Sequence, residues 1–190
     1  RSPACRDVSG GLPRQVSLQS LVGPLDALAA QWRRQPRSTR VALGTATSDG
    51  TPWCLDLASD GPHCLVAGTT GSGKSELLIT LVATLAAANR PDELCFVLVD
   101  YKGGAAFGAC RDLPHVVGLV TDLDPAGAAR AITSLSAELT RREALLAARG
   151  ASDLAAYQRV CRPGDPTIPR LVILIDEFRT LADEFPLLID

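Results

Sequence analysis

Methionine is absent from the 190 residues, lysine occurs twice, and aromatic side chains make up only 4%. With neither an initiating Met nor a charged-then-apolar leader, the chain is expected to be a piece of a longer protein that lacks a signal peptide here. Apolar runs fall far short of the roughly 18–20 residues that a bilayer span requires, so no membrane crossing is expected. A basic face interleaved with aromatics, the footprint of a nucleic-acid binder, is missing. The six cysteines (Cys5, Cys54, Cys64, Cys95, Cys110, Cys161) never form CxxC, which argues against a zinc site or disulfide set and for buried, reduced thiols. Near-average Gly and Pro exclude collagen-like and low-complexity classes.

What is present describes a medium-sized soluble domain: 46% hydrophobic and 21% charged residues, enough to bury a core without staples. The net charge of −2 conceals an asymmetry, +5 over residues 1–40 and −7 over 41–190. Seventeen arginines against two lysines mark Lys74 and Lys102 as positions where a compact ammonium is needed.

Residues 1–20 read as a linker. Leu21, Leu25, Leu28 and Trp32 have helical spacing, which predicts a short helix near 23–33. Val41–Leu43 and Trp53–Leu57, separated by Ser48-Asp49-Gly50, predict a hairpin. The pattern then alternates. A short strand at Cys64–Ala67 runs into a glycine-rich loop, and a helix follows from Lys74 to about Ala88. Apolar strands are expected at Leu94–Val99 and Val116–Val120. A helix capped by Asp124 and opened by Pro125 carries Ala128, Ile132, Leu135, Leu139 and Leu146 on one face, with Glu138 and Arg142 as an i,i+4 pair. Gly150 ends it, and Ser152 opens a short helix holding Leu154 and Tyr157. Leu171–Ile175 is a last apolar strand. This alternation predicts an α/β fold, a parallel sheet with helices on both faces preceded by a short β-hairpin.

Gly68-Thr69-Thr70-Gly71-Ser72-Gly73-Lys74-Ser75 matches GxxxxGK[ST], the P-loop or Walker A motif. Glycines let main-chain amides approach phosphate oxygens, and the following helix adds its unpaired amides and dipole, with Glu76 in its first turn. Lys74 is assigned to the β- and γ-phosphates and Ser75 to Mg²⁺. Leu171–Ile175 followed by Asp176-Glu177 reads as a Walker B segment. Asp176 is expected to hold Mg²⁺ and Glu177 to polarise the attacking water as general base. The Asn-Lys-x-Asp guanine reader is absent, because Asn89 is the only Asn and Arg90 follows it. The nucleotide is therefore expected to be ATP.

Val99-Asp100-Tyr101-Lys102-Gly103-Gly104, Gly61–Gly68, Leu113-Pro114-His115-Val116-Val117, Glu138–Glu143 and Asp176-Glu177-Phe178 together resemble the FtsK/SpoIIIE family of motor ATPases. "VDYKGGAAF" looks closer to the EccC-type ATPases of type VII secretion than to the chromosome translocases. The resemblance covers roughly residues 40–190. It implies a RecA-like ASCE P-loop NTPase domain over 41–190, with 1–40 left as linker and short helix. It also implies a ring or stacked oligomer on the cytoplasmic face of a bacterial cell membrane, with its membrane anchor outside this stretch. The cargo is a secreted protein in one branch and double-stranded DNA in the other. A third reading is a nucleotide-binding docking module without turnover. Asp100 and Lys102 match the family's second segment, where a contact to nucleotide or a neighbouring subunit stands against a purely structural loop. His63 and His115 are expected to pack or cap, and Arg141 and Arg142 to face solvent rather than act as trans-acting fingers. Resembling proteins continue with a strand lying between the P-loop and Walker B strands. This sequence stops at Asp190, so the fold is expected to be incomplete at the C-terminus and the 190 residues alone to hydrolyse ATP weakly or not at all.

Overall fold

The structure is a computed structural model that describes residues 16–34, 37–45, 51–101, 106–121 and 125–184. It divides into two units, Arg1–Arg90 and Pro91–Asp190. Lys102, Asp124, Cys5 and the turn Ser48-Asp49-Gly50 lie outside the described residues, as does the side chain of Ala128.

In the first unit the helix expected near 23–33 is present from Leu25 on, its first turn 3-10, and a further short helix precedes it, partly in the stretch read as linker. Helix α1 (Leu18–Val22) ends at Gly23, whose φ of 82° no helix interior adopts. Pro24 follows and has no N–H with which to continue α1, a 3-10 turn spans Leu25–Ala27, and α2 (Leu28–Arg34) restarts the helix. Strands β1 (Arg40–Thr45) and β2 (Pro52–Asp56) form the expected antiparallel hairpin. Helix α3 (Lys74–Ala88) packs on β1, α1 and α2 and buries Val82, Leu85, Ala86 and Ala87. Its end is pinned twice. The Trp32 indole N–H donates to the Ala87 carbonyl (2.9 Å). The Asn89 amide donates to the carbonyls of Ser38 (2.7 Å) and Leu85 (2.9 Å), and accepts from the Ser38 N–H. The sequence's lone Asn is thus a buried structural clamp.

Residues 64–67, predicted as a strand, pair with no described strand, and Leu65 is 77% exposed. An extended apolar segment becomes a strand only when neighbours accept its backbone hydrogen bonds, and none of the described strands does so.

The second unit is built on a three-stranded parallel sheet in the order β4-β3-β5. Strand β3 (Leu94–Asp100) lies in the middle and is buried almost throughout. It pairs with β4 (Val116–Thr121) on one side and β5 (Arg170–Asp176) on the other. Val117 on β4 and Ile173 on β5 remain exposed. Helix α4 (Pro125–Ala148) is amphipathic and keeps Ile132, Leu135 and Leu146 of the expected face partly buried, but it departs from that face at two positions. Leu139 is 50% exposed, whereas Arg142 is turned inward beside Glu138. Arg142 is therefore not a solvent-facing residue. Its long stem packs while its guanidinium finds acceptors.

Helix α5 (Leu154–Val160) is capped by Asp153, not Ser152. The Asp153 carboxylate accepts from the Ala156 N–H (2.7 Å), and the Ser152 hydroxyl donates to Asp153. Carboxylate and hydroxyl both suit such a position, and Asp153 holds the residue spacing that reaches the first free amides. Tyr157 is buried, its hydroxyl donating to the Pro166 carbonyl (2.8 Å). Helix α6 (Phe178–Glu184) follows β5. The expectation of buried thiols holds for Cys95 and Cys110, while Cys64 and Cys161 are exposed and Cys54 is half-buried. His115 is buried as expected, and His63 is exposed on the segment that forms no ladder. No helix among the described residues is long and apolar enough to cross a membrane.

Candidate functional site: a glycine loop and an acidic strand edge

The loop Gly68–Ser75 lies in the first unit and leads directly into α3. Its glycines serve different ends. A Cβ at Gly68 would stand 2.5 Å from the Ser72 hydroxyl oxygen, so a side chain there would make that hydroxyl turn away. Gly71 and Gly73 hold φ of +76° and +91°, the left-handed region that favours glycine, and Gly73 is the residue from which α3 starts. The Ser72 N–H donates to the Thr69 carbonyl (3.2 Å) and closes the turn. The Lys74 ammonium reaches back over the loop and donates to the carbonyls of Gly68 (3.1 Å) and Thr69 (3.0 Å). Thr69, Thr70, Gly71, Ser72 and Glu76 are exposed around it. A tight, glycine-lined turn at the start of a 15-residue helix suits an anion in sign, and at Gly71 and Gly73 no atom stands within 4 Å of where a Cβ would be.

The second feature lies in the other unit, at the carboxyl edge of the sheet. Asp100 and Asp176 end β3 and β5 as register partners and are 3% and 9% exposed. Asp100 accepts from the Ala106 N–H (3.2 Å). Asp176 accepts from the N–H of Glu177 (2.9 Å). Glu177 has a φ of 55°, the one positive value among the described residues other than glycine. Its carbonyl accepts from Thr180 (2.9 Å) and Leu181, so this left-handed residue turns β5 sharply into α6 and leaves its own side chain exposed. Carboxylate and hydroxyl oxygens suit Mg²⁺, which is commonly held by one or two protein oxygens plus substrate phosphates. No group of three or more His, Cys, Asp or Glu residues gathers as a metal cluster among the described residues.

Sequence motifs indicated Gly68–Glu76, Asp176 and Glu177. The side-by-side placement of Asp100 and Asp176, and the inward turn of Arg142, were not legible there. Two apolar runs each ending in Asp, Val99-Asp100 and Ile175-Asp176, were the one signal available for the first.

A glycine loop opening a helix, together with parallel strands that end in aspartate, defines the P-loop ATPase fold. The FtsK/SpoIIIE family model matches residues 26–181, and the chain belongs to this family. It is 44% identical over 161 residues to the type VII secretion system protein EssC of Staphylococcus aureus (strain NCTC 8325 / PS 47), covering 82% of this chain and 11% of that protein. It is 40% identical over 171 residues to the ESX-4 secretion system protein EccC4 of Mycobacterium tuberculosis (strain ATCC 25618 / H37Rv), covering 84% of this chain and 14% of the relative. The chain thus spans only about a tenth of these curated relatives. Among solved structures, the cytoplasmic domain of the Thermomonospora curvata type VII secretion ATPase EccC matches with a TM-score of 0.82 and 37% identity, over 92% of this chain and 22% of that one. The pCW3 conjugation coupling protein TcpA, in a monomer form with ATPγS, matches with a TM-score of 0.62 and 25% identity, over 90% of this chain and 42% of that one.

Proposed function

We propose that this chain is the nucleotide-handling part of a type VII secretion motor, which couples Mg-ATP hydrolysis to the movement of a secreted protein. The observation that carries this reading is the loop itself: Gly71 and Gly73 hold left-handed φ values that favour glycine, and Lys74 is held across the turn by the Gly68 and Thr69 carbonyls. The amides of Gly68 through Glu76 bind the phosphates, and Lys74 pairs with the β- and γ-phosphate oxygens as a point charge. Ser75 and Asp176 hold Mg²⁺, which when bound neutralises charge on the transferring phosphate. Glu177 accepts the proton of the attacking water. Asp100, beside Asp176, contributes negative charge at the same sheet edge, and Lys102 is assigned with it to contacts with nucleotide or an adjacent subunit. The domain spans 41–190 in this reading. It works in a ring or stack of its own copies at the cytoplasmic face of the cell membrane, anchored through residues outside this stretch.

DNA translocation is the second reading, favoured by the likeness to a conjugation coupling protein. The test compares ATP hydrolysis by the full-length protein with a secreted substrate carrying its export signal and with duplex DNA. Stimulation by the substrate, abolished by Lys74→Ala, supports secretion. Salt-sensitive stimulation by duplex DNA alone transfers the assignment to DNA. Nucleotide binding without turnover under either condition removes the motor reading.

A further inference from the structure

The apolar run Leu171–Ile175 does little to specify where β5 sits along β3. A slip of two residues keeps aliphatic side chains along the middle of the strand, yet it carries Asp176 about 7 Å along β3 and sets either Asp176 beside Leu98 or Arg170 beside Phe96. Contacts at the entrance to the strand supply what the core does not. Asp165 accepts from the Arg162 N–H (2.8 Å) and pairs with Arg149. The Tyr157 hydroxyl holds the Pro166 carbonyl, Ile168 is buried, and the Arg170 N–H donates to the Glu93 carbonyl (2.8 Å).

Arg142, from α4, is the last side-chain tether before the strand. Its Nη1 donates to the Pro169 carbonyl and its Nε to Glu138 Oε1 (2.8 Å), with only 13% of the side chain exposed. Its guanidinium also lies beside the Cys95 thiol near the start of β3, where burial raises the thiol pKa and the guanidinium opposes the rise. Cys95 and Leu171 are register partners, so one guanidinium touches the entrances of both strands. Glu138 orients it, and hydrogen bonds from Arg141 and then Arg142 hold that carboxyl down to about 2.

We propose that Arg142 is a positioning residue for Asp176: by clamping the Pro169 carbonyl at the entrance of β5 it sets the register that ends the strand with Asp176 beside Asp100. The inference rests on the reading of Asp176 as a Mg²⁺ ligand and extends it along about 20 Å of strand to the opposite edge of the sheet.

The test measures Mn²⁺ affinity by electron paramagnetic resonance in the ADP-loaded full-length protein, alongside thermal unfolding. Arg142→Met, which keeps the stem and loses the donors, weakens Mn²⁺ about tenfold. Arg142→Lys, with a single ammonium, falls between this variant and wild type. Arg141→Met removes the other guanidinium from Glu138 without touching Pro169 and leaves Mn²⁺ affinity unchanged. Asp176→Asn weakens Mn²⁺ at least as much as Arg142→Met. A lower melting point in Arg142→Met with wild-type Mn²⁺ affinity overturns the proposal, as does an equal loss in Arg141→Met. If the Met variant does not fold, wild-type affinity in Arg142→Lys overturns it. Full Mn²⁺ affinity in Asp176→Asn removes the metal role itself, and the inference with it.

Discussion

Asp100 and Asp176 stand side by side at the ends of neighbouring parallel strands, both buried, each accepting a hydrogen bond from backbone that follows its own strand. Parallel strands deliver both side chains to one edge, about 4.8 Å apart between chains. Two carboxylates so placed favour a cation near them, since like charges repel in proportion to their nearness. Asp100 carries a structural duty as well, because its Oδ2 pairs with the Ala106 N–H.

These two duties separate by substitution. Asp100→Asn keeps an oxygen acceptor for the Ala106 N–H and holds stability, whereas Asp100→Ala leaves that amide unpaired and costs about 1–3 kcal/mol. Urea unfolding of both variants checks the difference. Wild-type stability in the Ala variant would show that the hydrogen bond holds nothing together.

Gly68→Ala places a methyl against the Ser72 hydroxyl and displaces that side chain within the turn. Nucleotide affinity, measured with a fluorescent ATP analogue, is expected to fall at least about tenfold, with the melting temperature little changed because the loop is exposed. The double variant Gly68→Ala/Ser72→Gly removes the clash and restores part of the affinity. Failure of that rescue would place the cost elsewhere than in the contact with Ser72.

Glu177 combines a strained backbone with a chemical side chain, and the two respond differently. Glu177→Gly relieves the positive φ and keeps stability within about 1 kcal/mol of wild type, while Glu177→Val, β-branched in the same conformation, loses about 2 kcal/mol. Glu177→Gln retains ATP binding and slows hydrolysis by about 10²–10⁴-fold. Equal stability of the Gly and Val variants would remove the backbone argument, and full turnover by the Gln variant would remove the general base.

Acid should unfold the second unit from its ion pairs. Glu138, ordinarily near 4.5, is held at about 2 by Arg141 and Arg142, and Asp165, ordinarily near 3.8, is held at about 2 by Arg149. Both are depressed in the folded state, so their stabilisation is complete above about pH 5 and disappears as pH falls toward 2. Melting temperatures recorded from pH 6 down to 2.5 should decline over that window. The double variant Glu138→Gln/Asp165→Asn should start lower and decline less. Parallel curves for variant and wild type would assign the acid sensitivity to other groups.

Features governed by local rules were readable before any fold was known. The P-loop is specified by glycines whose left-handed φ values and missing side chain are local requirements, and α3 begins at Lys74 as its pattern predicts. Strands β3 and β5 follow from uninterrupted apolar runs, and the extent of each is within a residue of the expectation. The helix expected near 23–33 is found from Leu25 on, whereas α1 was not foreseen, because Gly23-Pro24 separates it from the spacing that follows.

The amino-acid order alone thus determined the glycine loop, most of the helices and the aliphatic strands β3, β4 and β5, because dihedral preference and hydrophobic periodicity act over a few neighbouring residues. Tertiary structure alone decided that Asp100 meets Asp176, that Arg142 turns inward to the Pro169 carbonyl while Leu139 faces water, and that residues 64–67 join no ladder. Pairing partner, register and helix rotation depend on groups far apart along the chain, and a run such as Leu-Val-Ile-Leu-Ile is equally apolar in every register it could adopt.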